Sequence, residues 1–444
     1  MIKDCYPTFN CTHLLIGCPS QLFVCHRVSS HVLVTGAVNV CYGDIYLRRT
    51  RPLVSYDTNY PPGVVGRIAD METYQRLLSF LAFCTFTAPV SVLAEQVTTI
   101  ATGLNSARGL SVGSDGAVYV TESGIGGTSQ NCVFLLNLNI CSGTTGSITK
   151  IKDGTQQRVL TDLPSVAAQP ELTNASGPQD IQFDSAGNPY VLFASGGEPS
   201  NRSTWQSPGL GQLYKLNFET GTLTSVADIS TYLEGKTPES NPFAFSIAGS
   251  TAYVADAGGN AIVSVNLDGS NLKTVAILPT QNIKDPVYPQ DFFTPPPPDP
   301  KLVIKTDKVE VDVDFVPSGV ETGADGLLYI SEFTGYPFPE GKSRIFQIDK
   351  AGKPKVYLDG FTQIIDIKFD SQGNLYVLQY ANQSVWKGNL TSSLIKVDKN
   401  KKRTTLANGV LQSATALAIG PDDSIYVTNK GDRPNQGEVI KITP

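Results

Sequence analysis

Histidine and methionine are nearly missing from this chain, with three and two in 444 residues. All three histidines (His13, His26 and His31) and five of the eight cysteines lie in residues 1–70. That stretch shows no strand or helix period and reads as upstream sequence placed before the protein proper, with an accessory segment as the alternative. The second methionine opens METYQRLLSFLAFCTFTAPVSVLAEQ. A basic flank at Arg76, an apolar run from Leu77 to Val92 and small residues before a cut after Ala94 describe a secretory signal peptide over 71–94. A transmembrane anchor is the alternative, but 16 moderately apolar residues fall short of the ~20 that a spanning helix needs.

From Glu95 onward, 350 residues carry no histidine, no methionine and two cysteines. The absence of histidine excludes a Ser-His-Asp triad, an ordinary zinc or copper site and a histidine-ligated haem, and with them most oxidase designs. Positive charge is also short, at 27 Lys+Arg against 35 Asp+Glu, which argues against nucleic acid or an anionic membrane as partner. The cysteines, Cys132 and Cys141, lie nine apart in NCVFLLNLNIC. A disulfide stapling that loop in an oxidising compartment is the simplest reading; a catalytic or metal-binding pair would need a CxxC spacing or a histidine, and neither is there.

What is abundant is repetition. ARGLSVGSDGAVYVTES from Ala107 recurs as PQDIQFDSAGNPYVLFA, PFAFSIAGSTAYVADAG, PSGVETGADGLLYISEF, IIDIKFDSQGNLYVLQY and ATALAIGPDDSIYVTNK. Each copy is an alternating strand, a tight turn and a second strand bearing a tyrosine. A third strand follows every hairpin (GSITKIKDG, GQLYKLNFETG, NAIVSVNLDG, SRIFQIDKAG, SSLIKVDKN, GEVIKITP), and a fourth follows the first five. The strand missing from the sixth is found at the other end: EQVTTIATGL fits it. The sequence therefore predicts an all-β, six-bladed β-propeller over 95–444, four antiparallel strands per blade, closed by residues 96–102 pairing with 437–443.

In such a ring the a-b and c-d turns share one face and are short, while the b-c and d-a connections share the other and are long. The longest is the insertion QNIKDPVYPQDFFTPPPPDPKLVIKTDKVEVDVDF, whose Pro295 to Pro298 run reads as a stiff spacer or, alternatively, a docking ligand. The starts of the inner strands place Arg108, Asp180, Asn241, Ser318, Asp366 and Thr415 at the mouth on the long-loop face, and the ends of the second strands place Glu122, Asp256, Glu332, Gln379 and Asn429 there. Such residues either cap strand ends or, as a ring, hold an oxygen-ligated divalent cation such as Ca²⁺ or a polar ligand. Glu332, Glu122 and Asp256 are the candidate acid–base residues. Convergence of the carboxylates on one pocket would favour chemistry; dispersal would favour binding. After Glu332 the loop FTGYPFP holds Tyr336 and Phe338 between prolines, a preorganised aromatic shelf beside a carboxylate or a lid packed on its own blade.

These motifs, EFTGYPFPEGKSRIFQID with VPSGVETGADGLLYIS, ESNPFAFSIAGSTAYVADAGGNAI and ASGPQDIQFDSAGN, resemble the ScyD/ScyE family of the cyanobacterial scytonemin pathway, with NHL-repeat propellers as more general relatives. The resemblance spans about Gln96 to Ile442 and departs at Gln179, where some relatives carry histidine. It implies a periplasmic or secreted propeller and, for ScyE-type members, which are favoured here, the late oxidative dimerisation of a tricyclic indole-phenol ketone. The alternative is a non-catalytic scaffold that holds such a precursor or a pathway partner protein; a lactonase-like hydrolase has little motif support.

Overall fold

The computed structural model describes residues 95–443 apart from 128–130, 136–137, 197, 290–302 and 306–307. The segments 1–70 and 71–94 and the Pro295 to Pro298 run lie outside the described residues.

Each repeat folds into one antiparallel sheet, and the strands follow one another in chain order. Sheet one contains Ala107–Val112, Val118–Glu122, Leu138–Lys152 and Thr155–Gln169, with Cys132–Leu135 added beside the third strand. Sheet two is Pro178–Phe183, Pro189–Phe193, Gln212–Asn217 and Thr222–Asp228. Sheet three is Pro242–Ala248, Thr251–Asp256, Ala261–Asn266 and Lys273–Ile277. Sheet four is Pro317–Thr322, Leu328–Glu332, Ser343–Ile348 and Pro354–Phe361. Sheet five is Ile364–Phe369, Leu375–Gln379, Ser393–Val397 and Arg403–Leu406. In sheet six, Ala416–Ile419, Ile425–Asn429 and Gly437–Thr443 are completed by Gln96–Leu104, with Gln96 opposite Thr443 and Leu104 opposite Gly437.

The sheets stack face on face through their apolar sides. Six clusters fill the spaces between successive sheets, for example Ile181 and Val191 with Ile148, Ile367 and Val377 with Ile345, and Ala418 and Tyr426 with Leu110 and Val120. The last of these joins sheet six to sheet one. First strands touch in the same order, 107–112 with 178–183, then 242–248, 317–322, 364–369, 416–419 and again 107–112. Sheets arranged radially around their first strands are the arrangement of a β-propeller. Second strands lie between neighbours on both faces and are buried throughout in four sheets, polar ends such as Thr121 and Glu122 included, whereas the outer strand Thr222–Asp228 has a single buried residue.

The repeated tyrosines are structural. Tyr119, Tyr329 and Tyr376 donate their hydroxyls to the turn aspartates Asp115, Asp325 and Asp370 at 3.2, 2.9 and 3.3 Å, tying each hairpin to its own turn. Cys132 and Cys141 are joined in a disulfide. The insertion after sheet three, which in sequence looks like one long loop, forms a further antiparallel sheet of Gln281–Lys284, Lys308–Val313 and Val303–Lys305.

Candidate functional site

The strand-end carboxylates are engaged by donors from within the protein. Glu122 is fully buried and accepts Thr149 Oγ1 (2.6 Å), Arg158 Nε (3.0 Å), Arg158 Nη2 (2.7 Å) and the Asn105 backbone N–H (2.7 Å). Glu332, also fully buried, is gripped through both oxygens by Arg344 at 2.6 and 2.7 Å and accepts the Arg344 backbone N–H at 3.0 Å. Burial pushes the Glu332 carboxyl up, and Arg344 works against that shift. Asp256 accepts Ser240 Oγ (2.6 Å) and the backbone N–H groups of Asn241 (2.9 Å) and Gly259 (2.7 Å). Gln379 and Asn429 do the same work in sheets five and six, accepting the N–H groups of Thr362 (2.9 Å) and Gln412 (2.7 Å). Glu122, Asp256, Gln379 and Asn429 thus clamp the backbone that enters their own first strands, and Glu332 clamps the start of its third strand, satisfying donors that would otherwise be buried unpaired. Each carboxylate oxygen of Glu122, Glu332 and Asp256 already accepts at least one hydrogen bond from the protein, and all three side chains are fully buried.

Residues at the starts of the first strands divide into two sets, because a bulge separates the first and third residues of the strand, as between Pro178 and Asp180 and between Ile364 and Asp366. Asp180 and Asp366 staple neighbouring sheets: Asp180 accepts Phe245 N–H and Asp366 accepts Leu417 N–H, both at 2.9 Å. Gly109 and Gly319 leave room for them; a Cβ on Gly109 would lie 2.5 Å from Asp180 Cα. Lys368 sits between these aspartates, with Nζ 3.1 Å from Glu321 and 3.6 Å from Asp366. Burial works to lower the lysine, but Asp366, Glu321 and Asp180 override it and hold it protonated, while burial raises Asp180 to about 7. Ser318 and Thr415 are stitches of the same kind, donating to Ile364 O (2.6 Å) and Ala107 O (2.8 Å). Among the described residues no group of three His, Cys, Asp or Glu side chains is gathered as for a metal ion. The rim, its carboxylates already satisfied by Arg, Lys and N–H donors, does not fit the oxygen-ligated cation that the sequence suggested.

The second residue of each repeat is Arg108, Gln179, Phe243, Ser318, Ile365 or Thr415, and here the character changes. Phe243, Phe333, Tyr380 and Ile365 belong to one apolar patch. From it a row of rings runs outward: Tyr380 to Phe333 at 5.9 Å, Phe333 to Phe338 at 6.1 Å, Phe338 to Tyr336 at 5.8 Å, and Tyr336 to Tyr288 of the insertion at 5.6 Å. Tyr336 is 38% exposed. The loop is fastened from beneath by the connection that follows the second strand of sheet five, Trp386 Nε1 donating to Pro337 O (2.9 Å) and Ser384 Oγ to Phe338 O (2.8 Å). Shelf and packed-down loop are thus the same object, anchored below and carrying rings above. A cavity of about 180 Å³ opens beside it, between Ile283 to Val287 of the insertion, Pro339 to Lys342, and Ser384 and Lys387.

At the inner end of the row lies a polar group. Tyr380 faces Arg108, Ser413 and Asp432, and burial followed by the Asp432 carboxylate pushes its phenol up. Burial depresses the Arg108 guanidinium, against Tyr380 and Asp432. Arg108 Nη2 donates to Ala175 O at 2.8 Å, while Arg108 Nε, Ser413 Oγ and Asp432 Oδ1 are buried without a hydrogen bond. Asn241 Oδ1 is likewise unpaired. Of these residues the sequence singled out Arg108, Tyr336 and Phe338 but not Phe243, Phe333, Tyr380, Ser413 or Asp432, although Tyr380 directly follows the strand-end Gln379.

No family model and no curated protein matches the chain. Among solved structures it is similar to a Bacteroides thetaiotaomicron protein of unknown function (9% identity, TM-score 0.49, 79% of this chain and 76% of that one). It is also similar to a putative oxidoreductase (glucose dehydrogenase) from Thermus thermophilus (16%, TM-score 0.45, 79% and 100%) and to a Xanthomonas campestris gluconolactonase (9%, TM-score 0.44, 79% and 90%).

Proposed function

We propose that the chain is a six-bladed propeller, closed by Gln96–Leu104 completing the sixth blade, which binds a flat aromatic small molecule at the mouth of its channel and supplies no acid or base from its strand ends. One observation carries this reading: the ring row from exposed Tyr336 to Tyr380, which ends on the polar group around Arg108. Stiffly anchored rings lose little entropy on binding, and offset or edge-on aromatic contacts contribute about 0.5–1.5 kcal/mol each beyond area burial. The dispersal of Glu122, Asp256 and Glu332, each locked in its own sheet, supports binding over proton abstraction.

Read with the ScyD/ScyE resemblance, the ligand is the tricyclic indole-phenol ketone, held in the periplasm or outside the cell as a pigment precursor; the Cys132–Cys141 disulfide suits an oxidising compartment. The test is to add the full chain to that monomer in air and follow binding and dimer formation together. Saturable binding with no carboxylate-dependent acceleration is expected. A rate increase that Glu332→Gln abolishes in a folded protein would overturn the binding reading and restore the oxidative-coupling one.

A further inference from the structure

At the outer end of the ring row, the cavity of about 180 Å³ is far larger than the ~10–15 Å³ that one water needs. Pro286, Val287 and Pro339 form its apolar wall. Tyr288, which meets Tyr336 at 5.6 Å, follows directly on Val287, so the cavity and the outermost rings are contiguous along the chain. Its charged lining is Lys284, Lys342 and Lys387 against Asp285 and Glu340, all five exposed. In a chain whose carboxylates outnumber its cations 35 to 27 from Glu95 onward, that balance is reversed. Another cavity, of about 280 Å³, is lined by Glu198, Glu234 and Glu239 and by no lysine or arginine.

The lysines differ in what already holds them. Glu340 is occupied, its Oε1 taking Lys387 Nζ at 2.7 Å and the Ser384 backbone N–H at 2.9 Å. Lys284 lies 3.8 Å from Glu310, beyond hydrogen-bond reach, and its side chain is 73% exposed. Lys342 has no ion pair among the described residues. On the premise that the ring row binds a flat aromatic molecule, we propose that this cavity seats an anionic oxygen group on that molecule, with a carboxylate on a short arm as its simplest form. The ring lies on Tyr336 and Tyr288 while the anion enters beside Lys342, which gives up no partner to receive it. Lys284 turns from Glu310 toward the anion, Lys387 stays on Glu340 and adds its field, and Asp285 is the one uncommitted charge that opposes. The fixed φ of Pro286 and Pro339 keeps the wall stiff, so little ordering is lost when the group enters.

Calorimetric titration of the full chain with indole-3-acetate and indole-3-acetamide, which match in shape and differ in charge, tests this. The acetate is expected to bind about fivefold more tightly at low salt, the scale of a part-exposed ion pair, and to lose most of that advantage at high salt. Lys342→Gln together with Lys284→Gln, at two exposed positions, is expected to bring the probes to within about twofold of each other, and Asp285→Asn to widen the gap. A preference that the lysine changes leave intact, affinity for the acetate lost in Asp285→Asn, or equal affinities that both fall in Tyr336→Ala overturn the anion seat and leave the aromatic site standing. Binding of both probes indifferent to Tyr336→Ala, or no binding of either, overturns the aromatic reading and this seat with it.

Discussion

Arg344→Ala would separate a structural clamp from a catalytic carboxylate. The variant leaves Glu332, fully buried, without the two guanidinium bonds at 2.6 and 2.7 Å that now neutralise it, and keeps only the backbone N–H at 3.0 Å. Arg344 is itself only 16% exposed, so solvent screening discounts little of the loss. Removing one partner of such a buried pair costs about 3–5 kcal/mol. The cost should depend on pH. Without Arg344 the Glu332 carboxyl rises further above its unfolded value, so the folded variant holds a proton that the unfolded chain has released. Its stability is then greatest in acid and falls as pH rises past the unfolded carboxylate range. Guanidinium melts of wild type and variant at pH 4.5 and pH 8 read the effect, and Glu332→Leu in the Arg344→Met background is expected to recover most of it. A loss under about 1 kcal/mol, or a loss larger at pH 4.5 than at pH 8, would refute the clamp.

Three further outcomes follow from the same geometry. Gly109→Ala puts a Cβ 2.5 Å from Asp180 Cα and 2.8 Å from Gln179 O, so it should lower stability by about 1–3 kcal/mol in chemical melts. Asp180, raised to about 7 by burial, takes up a proton on folding between its unfolded value near 3.8 and that pH. Stability should therefore fall as pH rises across the window, by at most about 4 kcal/mol, and Asp180→Asn should flatten the slope in urea melts run from pH 4 to 8. Reducing the Cys132–Cys141 bond should cost about 2–3 kcal/mol of local stability, seen as faster hydrogen exchange confined to the hairpin it closes.

The repeats were legible because six copies of one hairpin carry the same turn and the same tyrosine, and the strand beginning at Gln96 could be recognised as the fourth member that Gly437–Thr443 lacked. Partners were not legible. Glu122 and Glu332 stood out at strand ends, but the arginines that occupy them come from a fourth strand in one case and a third strand in the other, and no local pattern announces either. The starts of the first strands split for a different reason: the bulge after Pro178 and Ile364 shifts the alternation, so Asp180 and Asp366 staple neighbouring sheets while Phe243 and Ile365 join the apolar patch of Phe333 and Tyr380. Tyr380 comes near Ser413 and Asp432 only because sheet five packs on sheet six. The strands of the insertion were hidden by its prolines.

The most direct test of the account is the affinity of the indole-phenol ketone monomer for wild type, Phe333→Ala and Glu332→Gln, titrated at a temperature where circular dichroism shows all three folded. The account expects Phe333→Ala to weaken binding about tenfold, the scale of a lost aromatic contact and its buried area, and Glu332→Gln to leave affinity within about twofold while lowering the melting midpoint through the weakened Arg344 bond. The reverse pattern, affinity lost in Glu332→Gln and kept in Phe333→Ala, would contradict it.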